Sequence, residues 1–175
     1  MAQRILVIGL GRFGTALAES LAQQGCEVVA VDSDMHAVDA IKNRVTYALE
    51  MDSSDPHALR AIDPHTCQAA VVSIGENFEG AVLSVAALKE LGVGTIIARA
   101  TSARHARILH AAGAHRVLEL ESEMGRALGR ELAGGASVAA SAAQAVLAHS
   151  TGPHPAVPTH LPPGSSVPGY TPPGR

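Results

Sequence analysis

The chain has 175 residues, a formal net charge of −3 and only 2% aromatic side chains, which excludes general nucleic-acid binding through basic surface and stacking rings. No stretch approaches the roughly 18 consecutive apolar residues of a spanning helix, and the N-terminal apolar run is too short for a signal peptide, so direct membrane insertion is excluded too. With 47% hydrophobic residues, the expectation is one soluble, cytoplasmic domain with an aliphatic core that reaches a membrane only through a partner.

The elements alternate strand and helix with short connections. Ile5–Ile8 reads as the first strand and runs directly into Gly9-Leu10-Gly11-Arg12-Phe13-Gly14. A helix follows over roughly Arg12–Gln24. Strand, Gly-x-Gly-x-x-Gly turn and helix is the context that the dinucleotide fingerprint requires. Gly9 can take the tight turn, Gly11 lets a pyrophosphate approach the backbone, and Gly14 lets helix and strand pack closely. The helix N-terminus then offers free N–H groups and partial positive charge to phosphates. Glu27–Val31 is the second strand. It ends at Asp32, an acidic residue at the spacing where a carboxylate accepts from ribose hydroxyls. Asp34–Asn43 is a helix, Val45–Leu49 a third strand, and Asp55 caps a short helix through Ile62 with Pro56 at its first position. Ala69–Ile74 is the fourth strand, Asn77–Leu91 a long helix, Thr95–Ala98 the fifth strand and Ser102–Ala112 a helix. His115–Leu118 and Glu121–Leu132 complete the series.

Six such units with continuously apolar strands predict an α/β fold: a Rossmann-like, doubly wound, six-stranded parallel sheet with helices on both faces. Ligands of such sheets bind beyond the carboxyl ends of the strands. The loops that matter are therefore Gly9–Gly14, Asp32–Asp34 (including Ser33), Met51–Ser54, Ser73–Asn77 and Arg99–Thr101. Composition then shifts. The expected organisation is a nucleotide-binding domain over 1–135, an Ala-rich segment over 136–150 and a tail over 151–175 holding eight of the ten prolines. Such a tail buries too little apolar surface to offset its ordering entropy, and disorder is expected. Cys26 and Cys67 have no metal-binding spacing and read as small buried residues of a reducing compartment.

Gly9–Gly14, Val29-Ala30-Val31-Asp32, Val71-Val72-Ser73-Ile74-Gly75-Glu76-Asn77, Ile96-Ile97-Ala98-Arg99-Ala100, Ala112–Val117 and Glu121-Ser122-Glu123-Met124-Gly125 occur in that order. Over about residues 3–133 the sequence resembles the N-terminal lobe of RCK (TrkA-N, KTN) domains, and especially the cytosolic subunits of Ktr-type potassium uptake systems. The resemblance implies a nucleotide-sensing regulator, binding ATP/ADP or NAD(H), on the inner face of the cell membrane. Its partner would be a membrane-embedded K⁺ channel or transporter subunit, and it would self-associate as a dimer or an octameric ring. It places the adenine and its ribose near Asp52 and Ser53, a basic residue near the phosphates at Arg99, and Mg²⁺ or Ca²⁺ with the γ-phosphate at Glu121. It also places Met124, Leu128 and Leu132 against a neighbouring subunit. Typical members continue into a helical hinge and a C-terminal lobe, in place of which this sequence has the Ala-rich segment and proline tail.

The residues have physical readings of their own. An arginine within a phosphate loop, Arg12, can make a paired, charge-assisted contact to a terminal phosphate, alongside Phe13 in the same loop. Asp52 can accept from the adenine amino group or cap the following turn. Gly75 after Ile74 permits close backbone approach of a ligand. Asn77 can cap a helix as well as touch ligand. Arg99 faces either phosphate or an ion pair with Glu121 or Glu119. The nine histidines are scattered, and no nucleophile–base arrangement or substrate domain follows the fingerprint. An NAD-dependent oxidoreductase and a stand-alone nucleotide-binding adaptor are the alternatives to the sensor, and no enzymatic activity is expected.

Overall fold

The computed structural model describes residues 2–134. The boundary at 135, the Ala-rich segment and the proline tail lie outside the described residues. The elements are β1 (Arg4–Ile8), α1 (Arg12–Gln23), β2 (Glu27–Asp32), α2 (Met35–Ile41), β3 (Tyr47–Glu50), α3 (Pro56–Arg60), β4 (Ala69–Val72), α4 (Phe78–Glu90), β5 (Ile96–Arg99), α5 (Ala103–Ala112), β6 (Arg116–Leu118) and α6 (Leu120–Ala133). A short 3-10 turn at Pro64–Thr66 was not expected from the sequence. The compact body ends at Arg130.

All six strands are parallel, in the order β3-β2-β1-β4-β5-β6. The chain winds outward from β1 to β3, crosses back to β4 and winds outward again, so the order reverses between β1 and β4. Strand pleating divides the apolar runs between two cores. Leu6, Ile8, Val29 and Val31 face α3, α4 and α5 together with Leu59, Val85, Leu88 and Leu109. Ile5, Val7, Val28 and Ala30 face α1 and α2 with Ala18, Val38 and Ile41. Burying each Leu, Ile or Val contributes about 1.5–3 kcal/mol. Among the described residues the buried apolar side chains include no aromatic ring, as the composition predicts. Cys67 is buried and Cys26 only half-buried, which corrects the reading of both as interior.

Element ends follow local chemistry. Asp34, Asp55, Asn77 and Ser102 each accept a backbone N–H of the helix they precede, at 2.9, 2.8, 2.9 and 3.2 Å; each such cap contributes about 1 kcal/mol. β3 starts two residues later than expected. Thr46 meets β2 through its side chain, its hydroxyl accepting from Val28 N at 3.1 Å, and Val45 packs into the α1/α2 core. α1 differs from α2, α3, α4 and α5: Gly11 stands at its N-cap and supplies no side-chain acceptor, so its first N–H groups stay open beyond β1.

Candidate functional site

A cleft of about 760 Å³ opens at the carboxyl ends of the strands, over the point where strand order reverses. Gly9, Gly11, Arg12 and Phe13 line it from the end of β1, Asp32 and Ser33 from β2, and Asp52 and Ser53 from β3. Ile74, Gly75 and Asn77 line it from β4, Arg99 from β5 and Glu121 from the first turn of α6. Every candidate site residue except Gly14 thus converges on one cavity. Met51, Ser54, Ser73, Glu76 and Thr101 join from the loops singled out above. Ile8, Gly80 and Leu120 also line it and went unrecognised, the first two because each lies one turn or one residue inside an apolar element.

The three fingerprint glycines do three different jobs. Gly9 has φ +91°, a left-handed conformation that favours glycine. Gly14 faces away from the cleft; a Cβ there would lie 1.8 Å from Gly9 O and 2.5 Å from Ser73 Oγ. Gly11 has no atom within 4 Å of where its Cβ would stand, so the space beside it is open cleft. Arg12 is exposed at the start of α1 and takes part in none of the ion pairs among the described residues.

Asp32 is tied to the fold as well as to the cleft. Its Oδ2 accepts from Leu10 N at 2.5 Å, closing the glycine turn, and its Oδ1 accepts from Asp34 N at 2.9 Å. Each oxygen keeps a further lone pair for a ligand. Asp52 Oδ1 accepts from the Ser54 hydroxyl at 2.6 Å and from Ser54 N at 2.9 Å. Those bonds, the hydroxyl first, hold its carboxyl below the usual carboxylate range. Asp52 therefore fulfils its turn-capping reading. Asn77 caps α4 through Gly80 N, and Gly80 is needed there because a Cβ would come within 2.6 Å of Asn77 Nδ2.

Gly75 lines the cleft beside a side chain of its own chain. The space its missing side chain leaves is filled from within the chain: Arg99 Nη1 lies 2.7 Å from where a Cβ would stand. From there Arg99 Nη2 pairs with Glu121, which is the ion-pair alternative. The Glu121 backbone N–H, followed by the Arg99 guanidinium, lowers the Glu121 carboxyl pKa. Among the described residues no three His, Cys, Asp or Glu side chains gather as a metal site. A single carboxylate already facing a guanidinium does not fit a divalent cation by itself, and no step is assigned to one. Met124, Leu128 and Leu132 are 67%, 49% and 56% exposed, and α6 has no buried residue. No described helix is long and apolar enough to cross a membrane.

Comparison with known proteins bears on this architecture. A sequence model of the TrkA-N domain matches residues 5–120. Ktr system potassium uptake protein C of Bacillus subtilis (strain 168) is 33% identical over 132 residues, covering 75% of this chain and 60% of that protein. Ktr system potassium uptake protein A of the same organism is 31% identical over 130 residues, covering 74% and 59%. The chain thus spans about three-fifths of the length of these curated relatives. Among solved structures, the TrkA-N domain of inner membrane protein ybaL from Escherichia coli superposes with TM-score 0.68 at 22% identity, covering 75% of this chain and 98% of that one. A structure of GsuK bound to ADP gives TM-score 0.65 at 20% identity, covering 75% of this chain and 35% of that one. The GsuK channel bound to NAD gives 0.65 at 19%, covering 74% and 23%. At these identities the structural likeness establishes the fold. With the sequence match running from β1 to the first residue of α6, the chain belongs to the TrkA-N domain family.

Proposed function

We propose that this domain binds an adenine nucleotide, ATP/ADP or NAD(H), in the cleft and that exchange of one nucleotide for another regulates a membrane K⁺ uptake protein. The observation that best supports binding is the pairing of two features on one wall: an α1 N-terminus with no side-chain cap, and open space at Gly11 directly before it. Helix N–H groups left without an acceptor favour phosphate oxygens. Asp32, on the neighbouring strand, has lone pairs left for a ribose. The K⁺-uptake part of the reading comes from the Ktr relatives, and the choice of ligands is supported by the ADP- and NAD-bound GsuK structures. Mg²⁺ or Ca²⁺ enters this reading only with nucleotide phosphates as further ligands beside Glu121. A dimer or ring would use the exposed Met124/Leu128/Leu132 face.

In this reading the domain does no chemistry on the nucleotide. Ligands with different affinities for two arrangements of the assembly shift the population between them, and the membrane partner responds to that shift. Arg12 contributes to the choice of ligand. Arg12→Ala is expected to weaken ATP roughly tenfold more than ADP, the size of one charge-assisted hydrogen bond, as measured by titration calorimetry. An unchanged ATP/ADP ratio would remove Arg12 from the terminal phosphate. The regulatory part is tested by Rb⁺ flux into vesicles carrying a Ktr-type membrane subunit. Added chain should give different flux with ATP and with ADP, and identical flux in both would rule the regulation out.

A further inference from the structure

Two buried hydroxyls behind the cleft set the hydrogen-bonding character of its wall beyond β3. Ser84 is fully buried on α4, and Ser53, 7% exposed, stands just past β3. Ser84 Oγ lies 2.7 Å from the carbonyl oxygen of Gly80 and 2.8 Å from Ser53 Oγ. A hydroxyl carries one proton, and a carbonyl oxygen only accepts. The Ser84 proton therefore goes to Gly80. The contact between the two hydroxyls still needs a proton, and Ser53 supplies it. Ser53 is left with lone pairs alone to offer the cleft. On its two sides the same holds: Asp52 is an acceptor-only carboxylate, and the Ser54 hydroxyl has donated its proton to Asp52 Oδ1 at 2.6 Å. Three consecutive cleft-lining residues thus have no side-chain proton left to give.

The proposed nucleotide site fixes what meets this wall. With phosphates at the end of β1 and ribose at Asp32 on β2, the next strand outward is β3, and the base lies against the residues past it. Resting on that adenine-nucleotide reading, we infer that the Ser84–Ser53 relay selects the base. It locks Ser53 as an acceptor for the 6-amino group of adenine and sets lone pair against lone pair for a 6-oxopurine. A 6-oxo group there exchanges water for an acceptor and is left unsatisfied. Ser84 touches no ligand. It is a positioning residue whose effect is to deny Ser53 the role of donor.

Calorimetric titration with ADP and with inosine diphosphate, which has an oxo group in place of the 6-amino group, reads this directly. Wild-type protein should bind ADP at least about tenfold more tightly, the range of one unsatisfied buried polar group. Ser84→Ala frees the Ser53 proton to turn into the cleft, and the ratio should fall to about threefold or less. Ser84→Thr keeps a hydroxyl and should keep the ratio. Ser53→Ala, which leaves the Ser84–Gly80 bond of α4 in place, should also lower it. A Ser84 that merely packs the helix would weaken both nucleotides by one factor and leave the ratio intact, and that result in Ser84→Ala overturns the relay. Equal wild-type affinity for the two nucleotides overturns base selection alone, whereas failure to bind either overturns the nucleotide site and this inference with it.

Discussion

Gly14→Ala is expected to destabilise the fold by at least about 3 kcal/mol and to lower the melting temperature by about 10 °C. The added Cβ would lie 1.8 Å from the carbonyl oxygen of Gly9 and 2.5 Å from Ser73 Oγ. Neither group is free to yield. Gly9 N donates to Val31 O at 2.8 Å, which pins the turn to β2. Its carbonyl accepts from Ser73 Oγ at 2.5 Å, which pins it to the end of β4. Asp32 Oδ2 holds the next amide, Leu10 N. Relief therefore has to come from moving α1 off the sheet, which opens the core at Ala18 and Leu10. Overpacking in a well-filled core ordinarily costs about 1–3 kcal/mol, and a clash with pinned backbone belongs at or above the top of that range. Thermal unfolding followed by circular dichroism measures it. A drop of less than about 2 °C would mean that α1 and the glycine turn are not packed as described.

Three residues earlier in the same motif, the opposite outcome is expected. Gly11→Val should fold, losing no more than about 1 kcal/mol, the cost of a poor N-cap residue. It should lose nucleotide binding by about a hundredfold or more, since a branched side chain would fill the place where phosphates approach the helix N-terminus. The backbone there has φ −67° and ψ −173°, a region open to any residue. Nothing lies within 4 Å of the new Cβ. The pair of variants separates the structural glycine from the ligand-facing one. If Gly11→Val bound nucleotide as the wild type does, the phosphates would have to lie elsewhere.

How much of this was legible in the sequence depends on the range of the interactions involved. The strand–turn–helix start, the six parallel strands and the loops that line the cleft follow from local apolar runs, glycine positions and the handedness rules of α/β folds. The caps at Asp55 and Asn77 were legible because a cap is a contact within three residues. The packing of Arg99 beside Gly75 was not legible, because Arg99 arrives from a strand more than twenty residues away. The internal role of Asp32 toward Leu10 was missed for the same reason: the motif states the spacing of the two residues but not that the carboxylate closes the turn. The relay from Ser53 to Ser84 left no trace in the local pattern, since a serine on an apolar helix looks like a small packing residue until its partner is known.

The central claim is that the cleft is a nucleotide site, and titration calorimetry of the 175-residue chain with ATP, ADP, NADH and NAD⁺ tests it most directly. The account predicts saturable binding of at least one of these nucleotides at one site per chain. Heats indistinguishable from dilution for all four would contradict it.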